Sequence, residues 1–171
     1  KIQIESKDWI KFTVDNFDSS LAKIKETGAD MVLITLVGGA SVSFNRAFAS
    51  FGLADSVMRL GTLIDENTLM GIGAENSKNM FSAASYFANI QTDDAKAFAN
   101  SYAAKFGSDA AILNALSTSC YDGLTALDAI AERAGGLSVK EMDSVAEGTA
   151  FGSPRGDAVM KNRHLTLDIY L

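Results

Sequence analysis

Three groups of residues in this 171-residue chain have types and spacing suited to chemistry. The first is Gly38-Gly39, where seven apolar or β-branched residues give way at once to a helical period. Free amides at a helix start can hold an anion or a small polar ligand, and glycine allows close approach to the backbone. Neither G-x-G-x-x-G nor G-x-x-x-x-G-K-S/T occurs, and no basic residue lies within six positions, so a nucleotide cradle is disfavoured. The second group is Asp65-Glu66, preceded by Thr62 and Leu63. Paired carboxylates can move protons or hold a cation, but they serve equally as an N-cap and a complement to a helix dipole. The third is Tyr86-Phe87, read either as an aromatic wall of a pocket or as core packing.

Other reactive side chains carry less. Ser117, Thr118, Ser119 and Cys120 share one stretch, but the G-x-S-x-G elbow is missing and no histidine is near. Small residues there allow close helix packing instead. Cys120 is the single cysteine, which excludes an internal disulfide and a cysteine-based metal centre; it is expected as a small core residue. His164 is the single histidine, so no histidine metal site and no Ser–His triad is expected. Arg155 sits in the turn Gly152–Gly156, where an anion contact or plain solvation is open to it. The reading therefore names no catalytic residue, no metal and no cofactor.

The elements that would position these groups alternate. Trp9–Val14 alternates apolar and polar residues like a half-buried strand, and Asp15-Asn16 offers turn and N-cap chemistry. Phe17, Leu21, Ile24 and Lys25 predict a helix stopped by Gly28. Met31–Val37 reads as a buried strand and Ala40–Phe51 as a helix with Val42, Ala47, Phe48 and Phe51 inward. Ser56–Ile64 holds a third strand, a short helix follows Asp65, and Met80–Phe87 is a fourth strand. Thr92 then caps a helix through Phe98, Tyr102 and Phe106. A long helix covers Ala111–Ala134, and Ser138 with Glu141 fits a capping box. A turn at Phe151–Gly156 leads to strands over 157–160 and 164–171, expected to return to the earlier sheet. The fold class is α/β, a mostly parallel open sheet flanked by helices. Ligands of such sheets sit beyond the carboxyl ends of the strands, which is where Gly38 and Asp65 fall.

The net charge of −6 and the absence of a Lys/Arg cluster disfavour nucleic acid. No apolar run approaches the roughly 20 residues needed to cross a bilayer. The start Lys1-Ile-Gln-Ile4 fits a processed protein or an excised fragment.

Several segments, in order, resemble the type 1 periplasmic solute-binding proteins, in particular their amide/urea and branched-chain amino-acid branch. They are Phe17–Lys25, Gly28–Gly39, Phe44–Leu53, Tyr86–Asp93, Phe98–Phe106, Tyr121–Gly123 and Phe151–Met160 with His164-Leu165. The resemblance implies a Rossmann-like lobe of a two-lobed binder. Residues 1–92 and 149–171 would form the second ligand-binding lobe, and 93–148 the helices that cross back to a missing N-terminal lobe. It implies ligand contacts at Val37, Gly38, Gly39, Thr62, Leu63, Asp65, Glu66 and Tyr86. Leu63 stands where amino-acid-binding relatives place a carboxylate, which leans toward amides, urea or another neutral solute. Implied partners are a small polar solute and an ABC permease or signalling domain, with a homodimer through exposed helices. The implied location is periplasmic or extracellular. The alternatives are a small α/β hydrolase or transferase using Asp65 and Glu66, or a structural dimerisation module.

Overall fold

The computed structural model describes residues 2–107 and 109–171. They form two compact units, Lys1–Ala84 with Leu171, and Ser85–Tyr170.

The first unit contains α1 (Asp18–Thr27), β1 (Met31–Ile34), α2 (Gly38–Ser50), β2 (Met58–Gly61), α3 (Glu66–Ile72) and β3 (Met80–Ser82). The strands pair in parallel in the order β1-β2-β3. Asn16 Oδ1 accepts the Asp18 amide at 3.0 Å ahead of α1, and Gly28 closes that helix in the left-handed region. Phe17 and Leu21 of this segment pack with Ile34 of β1, Phe44 and Phe48 of α2, and Leu53 and Val57 beyond it. Phe17 and Phe44 meet edge to face at 5.4 Å, a favoured aromatic geometry. The inward residues of α2 are thus Phe44 and Phe48, with Ser41 and Asn45 also buried; Phe51 and Val42, expected inward, are exposed and half-buried.

The strand expected over Trp9–Val14 does not form. A strand needs a neighbour to complete its backbone bonds, and this segment has none among the described residues. Trp9 and Phe12 are exposed while Ile10 and Val14 lean on the core. The remaining strands are shorter than the apolar runs that announced them, and β3 stops before Tyr86.

The second unit holds α4 (Asp93–Phe106), α5 (Ala115–Ala134), α6 (Val139–Ala146), β4 (Ala150–Ser153), β5 (Gly156–Lys161) and β6 (His164–Thr166). Thr92 caps α4 by accepting the Ala95 amide at 3.3 Å. Asn114 and Ser117 form a reciprocal capping box, which starts α5 at 115 rather than 111. Helix α6 begins after Ser138 as expected, but without a side-chain cap.

The last strands form their own antiparallel sheet, β4-β5-β6, rather than rejoining the parallel one. Residues read only as a turn supply β4, and Asn162-Arg163, both at positive φ, close the second hairpin as a two-residue turn. Within the second unit β4 packs on α4 and α5. Cys120, expected in the core, is exposed on α5. No helix among the described residues is long and apolar enough to cross a membrane.

Candidate functional site

The sheet of the first unit ends in a level row. Ile34, Gly61 and Ser82 are register partners across β1, β2 and β3, so three loops leave one edge side by side. The Thr62 amide bonds the Ile34 carbonyl at 3.1 Å, and the Ala83 amide bonds that of Gly61 at 2.9 Å. Ser82 Oγ donates to the Ile64 carbonyl at 2.6 Å, tying the second loop to the third strand. Gly61 is needed here, because a Cβ would stand 2.5 Å from Ile64 Cδ1, and Ile64 folds back over the strand end.

This edge carries most of the sequence-predicted residues. Val37 precedes α2 with no side-chain cap, leaving the first-turn amides of that helix to another acceptor. Gly38 begins the helix at φ 55°, a conformation that favours glycine, and a Cβ on Gly38 or Gly39 would meet nothing within 4 Å. The approach to those amides is open. Thr62 and Leu63 are exposed on the neighbouring loop, and Asp65 and Glu66 are half-buried. Asp65 caps α3, accepting the Thr68 amide at 2.8 Å. Tyr86 belongs to the second unit, where it is buried. The first-unit edge thus offers amide donors, a hydroxyl, two carboxylates and the apolar Val37 and Leu63: the chemistry of holding a small polar molecule.

The hydroxyls of α5 are engaged within the helix. Ser117 completes the Asn114 box, Thr118 Oγ1 donates to the Asn114 carbonyl at 3.0 Å, and Ser119 Oγ to that of Ala115 at 2.6 Å. No group of three or more His, Cys, Asp and Glu among the described residues could hold a metal ion.

Two buried arginines were not legible in the sequence. Arg59 of β2 donates from Nη1 to Asn45 Oδ1 (3.0 Å) and from Nη2 to the carbonyls of Asn76 (2.8 Å) and Lys78 (2.7 Å). Its guanidinium lies 4.8 Å from the Phe48 ring centre. Burial holds its pKa below the ordinary arginine value. Arg155, open to solvation as a turn residue, is instead buried and bonds Asp122 Oδ2 at 2.6 Å and Ser85 Oγ at 2.6 Å. An arginine in an apolar strand and an Asp among small helix residues were the available signals.

A family model described as periplasmic binding protein matches residues 3–171. The chain belongs to the periplasmic binding protein family. Solved members share its fold. An amino acid ABC transporter substrate-binding protein from Pseudomonas fluorescens superposes with a TM-score of 0.86 at 14% identity, over 99% of this chain and 45% of that one. A solute-binding protein of an ABC transporter from R. palustris, in complex with 4-hydroxybenzoate, gives 0.81 at 25% identity over 94% and 45%. A leucine-, isoleucine-, valine-, threonine- and alanine-binding protein from Brucella ovis gives 0.79 at 15% over 92% and 40%. The periplasmic binding protein chain described here therefore spans less than half the length of these structures. Comparison with curated proteins finds none that matches.

Proposed function

We propose that this chain is part of a solute-binding protein that serves an ABC importer, or a related ligand-sensing receptor, and is not an enzyme. Its place would be periplasmic or extracellular, and its partners a permease or signalling domain. The solute sits at the carboxyl edge of the parallel sheet, against Val37, Gly38, Gly39, Thr62, Leu63, Asp65 and Glu66. The observation that carries this is the uncapped, open start of α2 beside the exposed Thr62–Leu63 loop. Amides arranged so favour a carboxylate or an amide carbonyl. Small amides, urea and branched-chain amino acids fit that chemistry, as do benzoates, one of which a relative from R. palustris holds. Against the hydrolase or transferase reading, Asp65 is engaged as a helix cap.

A cleft closes only with an opposite wall, which a missing lobe would supply. Leu116, Leu124 and Leu127 form an exposed apolar stripe on α5, as expected of a surface awaiting that lobe or a second copy. Calorimetry on the 171-residue chain with urea, leucine and 4-hydroxybenzoate tests the reading. No binding in the micromolar range is expected; micromolar affinity in the isolated chain overturns the need for a second wall, and turnover of an amide or ester panel overturns the reading as a binding protein.

A further inference from the structure

Glycine is the poorest helix former after proline, so Gly71 inside α3 needs a reason. Ending the helix is not that reason, because Gly73 follows Ile72 at φ 88° and closes α3. Nor is backbone freedom, because Gly71 does not adopt a positive φ. Its neighbour supplies the reason. A Cβ on Gly71 would stand 2.9 Å from Val42 Cγ2 of α2, whereas carbon atoms rest about 3.5–4.0 Å apart. Val42 cannot swing aside cheaply, since a β-branched side chain in a helix has one strongly preferred rotamer. The missing methyl is what lets α3 come so close to α2.

This contact lies beneath the solute edge. β1 and β2 are parallel, so α2 and α3 leave the same edge, and right-handed crossovers set them side by side on one face. Val42 is four residues past Gly38 and Gly71 five past Glu66, which puts the contact about 6–8 Å below both helix starts. The far ends are tied together. Arg46 Nε donates to the Ile72 carbonyl at 3.4 Å, and Asn76 Nδ2 donates to the same oxygen at 2.8 Å. Arg59, which also bonds Asn45 of α2, grips the carbonyls of Asn76 and Lys78 just beyond α3. A wedge between Gly71 and Val42 is therefore not relieved at that end. It turns the opposite end, Asp65-Glu66, away from Gly38-Gly39.

We infer that Gly71 is a positioning residue for solute selection. Its contact with Val42 sets the gap between the Gly38-Gly39 amides and the Thr62–Glu66 loop, and with it the bulk of solute that the edge accepts. This rests on the reading of that edge as the solute site.

Acetate and 4-hydroxybenzoate share a carboxylate and differ by a ring, so the ratio of their apparent dissociation constants reads the gap. Both are titrated into the 171-residue chain and into Gly71→Ala, Val42→Ala and the double variant, with amide shifts followed at Val37–Gly39 and Thr62–Glu66. Gly71→Ala is expected to move the ratio toward 4-hydroxybenzoate by roughly threefold, less than the about tenfold that a methylene commands in a closed pocket, because this edge is open. The double variant removes the opposing methyls and is expected to restore the original ratio. A merely destabilising substitution would weaken both solutes alike and would gain nothing from Val42→Ala. Val42→Ala alone lets α3 close in and is expected to move the ratio the other way, which decides the matter if Gly71→Ala does not fold. A ratio unchanged in the folded single variants, or not restored in the double variant, overturns the inference and leaves the solute site standing. No saturable shifts at this edge in the unsubstituted chain would overturn the solute reading, and the inference with it.

Discussion

Arg59 and Arg155 are both buried, one in each unit, and they are neutralised in opposite ways. Among the described residues Arg59 meets no carboxylate; carbonyl and amide oxygens of Asn45, Asn76 and Lys78 and the face of Phe48 receive its charge. Arg155 is paired with Asp122, itself fully buried, and reaches Ser85 and the Ser153 hairpin as well. The first arrangement spreads a charge over dipoles that the chain turns already supply. The second concentrates stability in one contact, so that losing either partner strands the other in a dry site. Each site holds one buried atom with no partner among the described residues, Arg59 Nε and Asp122 Oδ1, so the ion pair is what sets the two apart.

The largest effect should therefore follow Asp122→Ala, which leaves Arg155 buried without its carboxylate. A loss of about 3–5 kcal/mol is expected in urea unfolding. Exchange should rise in α5 and β4 before it rises in the parallel sheet. Arg59→Met should cost less, about 1–3 kcal/mol, because it removes a charge while leaving carbonyl acceptors unsatisfied. A larger loss for Arg59→Met than for Asp122→Ala would break the comparison. Asp65→Ala probes a carboxylate of intermediate burial and should cost about 1 kcal/mol as a lost cap, read from the thermal transition.

The smallest effect belongs to Asp8, paired with Lys23 at 2.7 Å on the surface. The hydrogen bond from Lys23 holds the Asp8 carboxyl below its ordinary value. Its contribution is present above the unfolded carboxylate pKa and is lost as pH falls through the lowered folded value. Both partners are well exposed, so Asp8→Asn should change stability at neutral pH by only a few tenths of a kcal/mol, less at high salt, and by nothing in strong acid. Thermal melts from pH 7 to pH 2 check the sign.

These contrasts also mark what the sequence could reveal. Helix positions were legible because 3.6-residue periods and end residues are local: Gly28 and Gly107 stop α1 and α4, and Thr92 caps α4. The carboxyl-edge loops were legible because a strand-to-helix switch at Gly38 and at Asp65 announces them. Pairing was not local. The pattern of Trp9–Val14 satisfies a strand template, yet no neighbour is there to bond it, and β4 was hidden inside a turn-like Phe-Gly-Ser-Pro run. Burial of Arg59, Asp122 and Arg155 depends on partners 14 to 70 residues away, which no window along the chain contains. Cys120 went astray for the same reason: its helix is apolar on the side that this chain leaves uncovered.

The account rests on the carboxyl edge of the parallel sheet as the surface that meets solute. Amide chemical-shift mapping of the 171-residue chain, titrated to millimolar 4-hydroxybenzoate and separately leucine, tests it most directly. The account predicts weak, saturable shifts clustered at Val37–Gly39 and Thr62–Glu66. Shifts confined to α4 and α5, with the sheet edge unmoved, would contradict it.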